Sequence, residues 1–142
     1  MNKALEEAEQ ALAEEEVPVG AVVVRDGMLL GRGHNRMQSL SDPTAHAEML
    51  AITAACERVG EPRLEGADLF VTLEPCAMCA GAVILARINR LFIAVDDLKT
   101  GACGSVFDVV REPRLNHRVE VYRGVLSERS QDLLAKFFAT RR

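Results

Sequence analysis

Short β-branched segments alternate with longer segments of helical periodicity along this chain of 142 residues. This alternation strongly limits the fold, because a strand, a helix and a second strand return the chain to one sheet with the helix on its face. One such unit spans residues 69–95, and an antiparallel hairpin with an Asp26-Gly27 turn precedes it. The sequence therefore predicts an α/β domain with one mixed sheet. It has no repeat, linker or low-complexity segment, so residues 1–142 are predicted to form a single domain.

Five strands are predicted, at residues 17–24, 28–30, 69–73, 91–95 and 119–122. Apolar residues at intervals of three and four predict the helices between them. The first helix ends before Pro18. The second is capped by Asp42 and closed by Gly60, and the third starts at Glu74-Pro75.

Ser127 is expected to cap the final helix. Its apolar face is predicted to comprise Leu133, Leu134, Phe137 and Phe138. Arg141 and Arg142 would occupy its last turn, where positive charge suits the helix dipole.

Composition excludes several classes of protein. No apolar run approaches the roughly 18 residues of a membrane-spanning helix. The first 16 residues are acidic and periodic, unlike a secretion signal. We therefore expect a cytoplasmic protein without a membrane partner, whose four cysteines are reduced.

Charge is distributed unevenly along the chain, whose net charge is −4. Residues 1–26 carry seven acidic and two basic side chains, whereas residues 111–142 carry eight basic and four acidic ones. The net charge argues against a non-specific nucleic-acid coat. The carboxyl-terminal part is the candidate phosphate-facing surface.

The most informative residues for chemistry are His46-Ala47-Glu48 and, 30 positions after His46, the segment Cys76-Ala77-Met78-Cys79. Cysteines three residues apart share one face of a helix, at a spacing that fits a single metal ion. Both would lie at a helix amino terminus, which favours the thiolate that binds metal. His46, Cys76 and Cys79 would give zinc three protein ligands and one open position, as in a catalytic site.

Glu48 is poorly placed to bind the same ion, because side chains two residues apart point to different sides of a helix. It can instead exchange protons with a metal-bound water. A lone Cys-x-x-Cys can also be a redox pair or part of a structural zinc site, so both alternatives stay open. Cys56 and Cys103 are expected to be small packing residues, and His34 and His117 show no partner by spacing.

His-x-Glu with Pro-Cys-x-x-Cys is the pattern of zinc deaminases of nucleosides and nucleobases. Longer motifs resemble the bacterial tRNA-specific adenosine deaminases of the cytidine and deoxycytidylate deaminase superfamily. They are Val17-Pro18-Val19-Gly20-Ala21-Val22, Gly33-His34-Asn35-Arg36, Asp42-Pro43-Thr44-Ala45-His46-Ala47-Glu48, Thr72-Leu73-Glu74-Pro75-Cys76-Ala77-Met78-Cys79-Ala80-Gly81-Ala82, Lys99-Thr100-Gly101 and Asn116-His117-Arg118-Val119-Glu120.

The resemblance implies a three-layer α/β/α cytidine-deaminase-like sandwich with about five strands, working as a homodimer with one zinc ion per subunit. It implies that zinc-activated hydroxide attacks C6 of the wobble adenosine of tRNA, giving inosine, while Glu48 moves protons. By the same resemblance Val19, Asn35 and Ala47 bind the flipped adenine.

The resemblance also implies contacts with the anticodon stem-loop. Asp97 resembles the family carboxylate near the substrate ribose, with Asp96 as a rival and a solvated turn as the alternative for both. Phe138, Arg141 and Arg142 resemble the final helix of the family, which lies near the anticodon loop. The particular tRNA and the role of Cys103 are left open.

Two further functions compete with this one. A deaminase of a free base or nucleoside (guanine, cytosine or adenosine) would share the zinc chemistry. It would not need the basic carboxyl-terminal part. A non-catalytic zinc-stabilised RNA-binding protein would not need Glu48.

Overall fold

A single five-stranded sheet organises the computed structural model, which describes residues 1–141. The strand order is β2-β1-β3-β4-β5. The strands are β1 (Gly20–Arg25), β2 (Met28–His34), β3 (Asp68–Leu73), β4 (Arg90–Val95) and β5 (Glu120–Tyr122). β1 pairs antiparallel with both β2 and β3, whereas β3, β4 and β5 run parallel. The predicted mixed sheet is confirmed.

Five helices lie in the described part of the chain: α1 (Asn2–Ala13), α2 (Met37–Leu40), α3 (Ala47–Val59), α4 (Ala77–Leu85) and α5 (Ser127–Ala139). α3 and α4 cover one face of the sheet, where their alanine-rich sides join the main apolar core. α1 and α5 cover the other face through a smaller cluster of Leu5, Ala8 and Leu133. The fold is therefore an α/β/α sandwich, as predicted.

The strand directions bring four chain segments to one edge of the sheet. Parallel β3 and β4 end there, and antiparallel β1 begins there because Ala21 pairs with Val71. β2 ends at the same edge, since His34 pairs with Gly20. Functional groups of open α/β sheets collect beyond the carboxyl ends of parallel strands. The residues next to this edge are thus the place to look for a site.

Several predicted boundaries are wrong because local hydrogen bonds compete with helix formation. The Asp42 carboxylate accepts from the Thr44 amide at 2.8 Å, which closes a separate turn, and α3 starts only at Ala47. Ser127 does not cap α5, because Leu126 precedes the helix with φ 53° and no side-chain cap bond.

The ends of two other helices also differ from prediction. α4 begins at Ala77, after Glu74-Pro75. Phe138 is 54% exposed, contrary to the prediction that it belongs to the apolar face of α5. Arg141 lies two residues after Ala139, the last residue of α5, and so is outside the last helical turn predicted for it. The short helix α2 was not predicted, because its four residues are too few for a periodic pattern.

No helix within residues 1–141 is long and apolar enough to cross a membrane.

Glycine allows β2 to approach α3 closely. A Cβ atom at Gly31 would lie 2.4 Å from the carbonyl oxygen of Ala51 and 2.6 Å from the amide nitrogen of Ala55. Both atoms belong to the backbone of α3, so a larger residue would force the helix away from the sheet. This contact also supports the site, because α3 begins directly after His46.

We predict that Gly31→Ala lowers the free energy of unfolding by about 2 kcal/mol or more, because the clash is with backbone atoms that cannot rotate away. Gly27→Asn in the same hairpin is the control. It occupies open space at φ 75°, a conformation that Asn tolerates. Denaturant unfolding of both variants measures the difference, and equal stabilities would contradict the prediction.

Candidate active site

Three potential metal ligands lie at the amino ends of two helices. His46 is the N-cap residue of α3 and Cys76 that of α4, both with extended backbone, while Cys79 lies in the first turn of α4. Neither N-cap side chain forms a capping hydrogen bond with its own helix. Both side chains are therefore free to turn toward each other across the sheet edge.

The distances among these side chains fit one metal ion. Nδ1 of His46 lies 3.6 Å from Sγ of Cys76 and 3.5 Å from Sγ of Cys79. Tetrahedral zinc, with a Zn–S bond of about 2.3 Å and a Zn–N bond of about 2.0–2.1 Å, separates such atoms by about 3.6 Å. Within residues 1–141, no other group of His, Cys, Asp and Glu has three ligand atoms within 4.8 Å of one another. The donor set therefore suits zinc.

The hydrogen bonds among these three side chains favour the binding of a cation. Hydrogen bonds from Cys79 and His46 lower the pKa of Cys76 to about 3. The pKa of Cys79 is raised, since its proton is held against Cys76 and the side chain is buried. The hydrogen bond to Cys76 also raises the pKa of His46. A metal ion would replace the protons that now join these three groups.

Glu48 lies beside the cluster but outside the group of ligand atoms. It occupies the first turn of α3 and is only 4% exposed. Burial raises the pKa of Glu48 to about 7, because a charged carboxylate is poorly solvated there. A group with this pKa can both accept and release a proton near neutral pH.

A cavity of 160 Å³ opens next to Glu48. This is below the roughly 300–1,000 Å³ of pockets for drug-sized ligands, so the cavity suits one small chemical group. Seven residues singled out from the sequence line it: Val19, Asn35, His46, Ala47, Glu48, Cys76 and Asp97. Sequence reasoning missed five others: Val17, Met37, Leu73, Glu74 and Thr100. Four of them lie within the motifs that carry the family resemblance, and Met37 directly follows one, so motif membership was the available signal.

Asn35 is held in place on the cavity wall by its neighbours. Its side-chain nitrogen donates to the Val17 carbonyl at 3.4 Å, and its side-chain oxygen accepts from the Met37 amide at 3.3 Å. Buried Glu16 accepts from the next two amides, those of Gln38 and Ser39, at 3.1 and 2.8 Å. The wall is thus built from backbone-anchored polar groups.

The structure separates the two rival aspartates. Asp97 lines the cavity, and its carboxylate accepts from the amides of Lys99 and Thr100 at 3.0 and 3.1 Å. Asp96 is exposed and points to Arg123, whose Nη2 lies 2.7 Å from its carboxylate. Of the pair, only Asp97 is at the cavity.

The residues expected to contact RNA lie in different surroundings. Arg141 lines a second cavity of 510 Å³ that shares Val17, Asn35 and Met37 with the first. Its guanidinium lies 4.4 Å from the ring centre of Phe137. Phe138 is exposed and does not line this cavity. Arg142 lies outside the described residues.

The remaining cysteines and histidines lie apart from the ligand atoms. Cys103 is fully buried in the main core, and half-buried Cys56 packs against it, as expected of small packing residues. Both histidines have structural partners that their spacing along the chain does not reveal. Nε2 of His117 lies 2.7 Å from the Ile88 carbonyl oxygen, and Nε2 of His34 lies 3.0 Å from a Glu14 carboxylate oxygen.

Comparison with known proteins decides the family. A family model of MafB19-like deaminases matches residues 1–142. The tRNA-specific adenosine deaminase of Aquifex aeolicus is 49% identical over 135 residues, covering 95% of this chain and 89% of the relative. That of Bacillus subtilis is 46% identical over 138 residues, covering 97% and 86%. The chain belongs to the tRNA-specific adenosine deaminase family. The predicted family is thereby confirmed.

Solved structures show the fold of this deaminase family. A structure of the tRNA:A34 deaminases that edit A to I at the wobble position of transfer RNA matches with a TM-score of 0.91. It is 47% identical, and the match covers 94% of this chain and 97% of that one. Guanine deaminase from Bacillus subtilis matches with a TM-score of 0.66 at 33% identity, covering 99% and 90%.

We predict that the protein binds one zinc ion per chain and that Cys79→Ser weakens binding roughly a hundredfold or more. Losing even an outer partner of a ligand costs about 10–100-fold in affinity, and a ligand itself costs more. Cys56→Ser on α3 is the matched control, because this thiol lies outside the cluster. Competition with a chromogenic chelator measures both variants. Equal affinities would contradict the assignment of the ligands.

Proposed function

We propose that this protein is a zinc-dependent deaminase that hydrolyses the wobble adenosine of tRNA to inosine. The observation that carries the proposal is the combination of His46, Cys76 and Cys79 at ligand distances with a buried Glu48 beside a small cavity. The relatives that share this family are named for action on tRNA adenosine. We further propose that residues 1–142 form one deaminase domain and that the protein acts in the cytoplasm.

His46, Cys76 and Cys79 would hold one zinc ion per subunit. Two thiolates and a neutral imidazole balance the charge of the ion and leave its fourth position open. When bound, zinc supplies a water of lowered pKa as the nucleophile for hydrolysis. Placement of the ligands on two helices that pack on the same sheet keeps their spacing rigid.

Glu48 acts as the proton carrier. Its carboxylate first takes a proton from the attacking water and gives it to the ring nitrogen of adenine. It then moves the second proton of the same water from the new hydroxyl group on C6 to the amino group, so that the C6–N bond breaks, ammonia leaves and the C6 carbonyl of inosine forms. The elevated pKa of Glu48, about 7, suits both transfers because neither protonation state is strongly favoured at neutral pH.

The cavity walls would hold a flipped adenine. Val19 and Ala47 provide apolar surface, and the anchored amide of Asn35 provides hydrogen bonds to the base edge. Asp97 lies where a carboxylate could accept from the ribose 2′-hydroxyl. A cavity of this size accepts a base only after the nucleotide has left its stack.

RNA outside the cavity would lie along the carboxyl-terminal part of the protein. Arg141 lines the neighbouring cavity, and Phe138 offers an exposed ring for stacking. Arg142 is proposed as a further RNA contact from the family resemblance alone. An anticodon stem-loop would reach these residues while its wobble base occupied the first cavity.

The protein is proposed to act as a homodimer. Large apolar side chains that are exposed include Leu85 at 74%, Leu98 at 82% and Phe107 at 58%. Burial of these side chains against a second copy would remove apolar surface from water, which favours association. A second copy of the chain is the partner that the resemblance implies.

A free purine base is the alternative substrate, since guanine deaminase from Bacillus subtilis shares the fold at 33% identity. The cavity volume would also suit guanine. The basic carboxyl-terminal part and the higher identity to the tRNA-specific relatives favour RNA.

We expect Glu48→Gln to lower kcat by about 10²–10⁴-fold, the usual contribution of general acid-base catalysis. Zinc content should remain at one ion per chain, because Glu48 is outside the ligand group. Glu57→Gln, an exposed residue of the same helix, is the control and should keep full turnover. Near-normal turnover of Glu48→Gln would refute the proton-carrier role.

A substrate panel tests the proposed function itself. We expect inosine from an anticodon stem-loop with a wobble adenosine, and none from the same stem-loop with the adenosine moved to another loop position. Free adenosine, cytidine and guanine are tested in parallel as alternative substrates. The products inosine, uridine, xanthine and ammonia are measured. Xanthine from guanine without inosine from the stem-loop would assign the protein to free-base metabolism.

A further inference from the structure

Glu74 is a buried carboxylate that the proposed reaction does not use. It follows the last residue of β3, and its side chain is fully buried. Buried carboxylates are costly unless every oxygen is paired. Its hydrogen bonds therefore show what the residue is for.

The donors to Glu74 come mainly from one loop. Oε1 accepts from the Asp97 amide at 3.1 Å, and Oε2 accepts from the amides of Cys103 and Ser105 at 3.0 and 3.1 Å. The Ser105 hydroxyl also donates to Oε1. A single carboxylate thus joins both ends of residues 97–105, which we call the 97–105 loop.

Arg123, which directly follows β5, completes the network. Its Nη2 donates to Glu74 at 2.7 Å, and its Nη1 donates to the Cys103 carbonyl at 2.5 Å. Burial alone would raise the pKa of Glu74. Hydrogen bonds from Ser105 and from the loop amides outweigh burial and hold the pKa below its usual range. The carboxylate is therefore charged and its acceptor positions are occupied.

The middle of the 97–105 loop packs directly on Glu74. A Cβ atom at Gly101 would lie 2.5 Å from Cδ of Glu74 and 2.4 Å from the Asp97 carbonyl oxygen. Only glycine allows this approach. The loop is thus built around the carboxylate at its ends and at its centre.

Two residues of this loop, Asp97 and Thr100, line the cavity. Their side chains are bonded to each other, with Thr100 Oγ1 donating to Asp97 at 2.9 Å. The Asp97 amide donates a hydrogen bond to Glu74. Glu74 therefore helps to hold this wall in position, and it need not contact the substrate to do so.

We propose that Glu74 is a positioning residue for substrate binding, which fixes the 97–105 loop so that Asp97 and Thr100 form the wall against the bound nucleoside of an RNA. This inference rests on the proposed function. A wall that contacts the ribose, and not the reacting amino group, would contact substrate equally before and during reaction. Loss of such uniform binding raises KM and leaves kcat unchanged.

Glu74→Gln tests the role, because it keeps the size of the side chain and replaces one acceptor by an NH₂ group that faces donors. We expect KM for the anticodon stem-loop to rise about tenfold with kcat within about twofold of wild type. Zinc content should stay at one per chain. Amides of residues 97–105 should exchange hydrogen faster.

Asp68→Asn is the matched control. Asp68 is a largely buried carboxylate at the other end of β3, paired to Arg90 at 2.6 Å. It should lower thermal stability without changing KM or exchange in the 97–105 loop. A rise in KM as large as that of Glu74→Gln would mean that the effect is merely structural, and it would overturn the proposal.

A double-mutant cycle separates positioning from a general loss of stability. If Glu74 acts through the wall, Glu74→Gln should raise KM far less in an Asp97→Ala background. Additive changes, or a fall in kcat at constant KM, would overturn the proposal. Should Glu74→Gln fail to fold, Ser105→Ala removes one donor and should show the same KM effect at smaller size.

Hydrogen exchange keeps this test independent of the proposed function. A wild-type protein without activity on the stem-loop would refute the proposed function and the substrate-binding role together. Faster exchange in Glu74→Gln would then still establish the support of the loop. Unchanged exchange with a normal KM in an active enzyme would overturn the positioning role alone.

Discussion

The reversal of strand direction between β1 and β3 is the constraint on which the rest of the site depends. Because β1 runs opposite to β3 while β4 runs with it, the start of β1 lies beside the ends of β3 and β4. Val19, Cys76 and Asp97 lie next to those three strand ends and meet at one cavity. The candidate metal ligands and the cavity walls are therefore products of one topology.

Three buried glutamates at this edge differ in pKa because their surroundings differ. Glu48 has little compensation for its burial, so its pKa rises to about 7 and it can carry protons. Glu16 and Glu74 accept several backbone hydrogen bonds, which hold the pKa of each below its usual range. Glu16 and Glu74 therefore stay charged, and their hydrogen bonds to backbone amides hold the cavity walls in position.

Local patterns predicted the fold well and the details of helix ends poorly. Periodicity and the Asp26-Gly27 turn were sufficient for five strands and four of the five described helices, because these signals are encoded within a few residues. The start of α3 could not be predicted, since Asp42 has the composition of a cap but bonds to its own turn. The spacing of Cys76 and Cys79 indicated a metal cluster, whereas the support from Glu74 depends on partners up to 49 residues away.

The uncapped starts of α3 and α4 tie the stability of this chain to its metal supply. A side-chain cap contributes about 1 kcal/mol to a helix, and His46 and Cys76 direct their side chains toward the ligand cluster instead. With zinc held there, preferential binding of the ion to the folded chain would make stability grow with the logarithm of the free zinc concentration. Cellular zinc status would then set the amount of folded enzyme as well as its activity, so zinc starvation would deplete the protein itself.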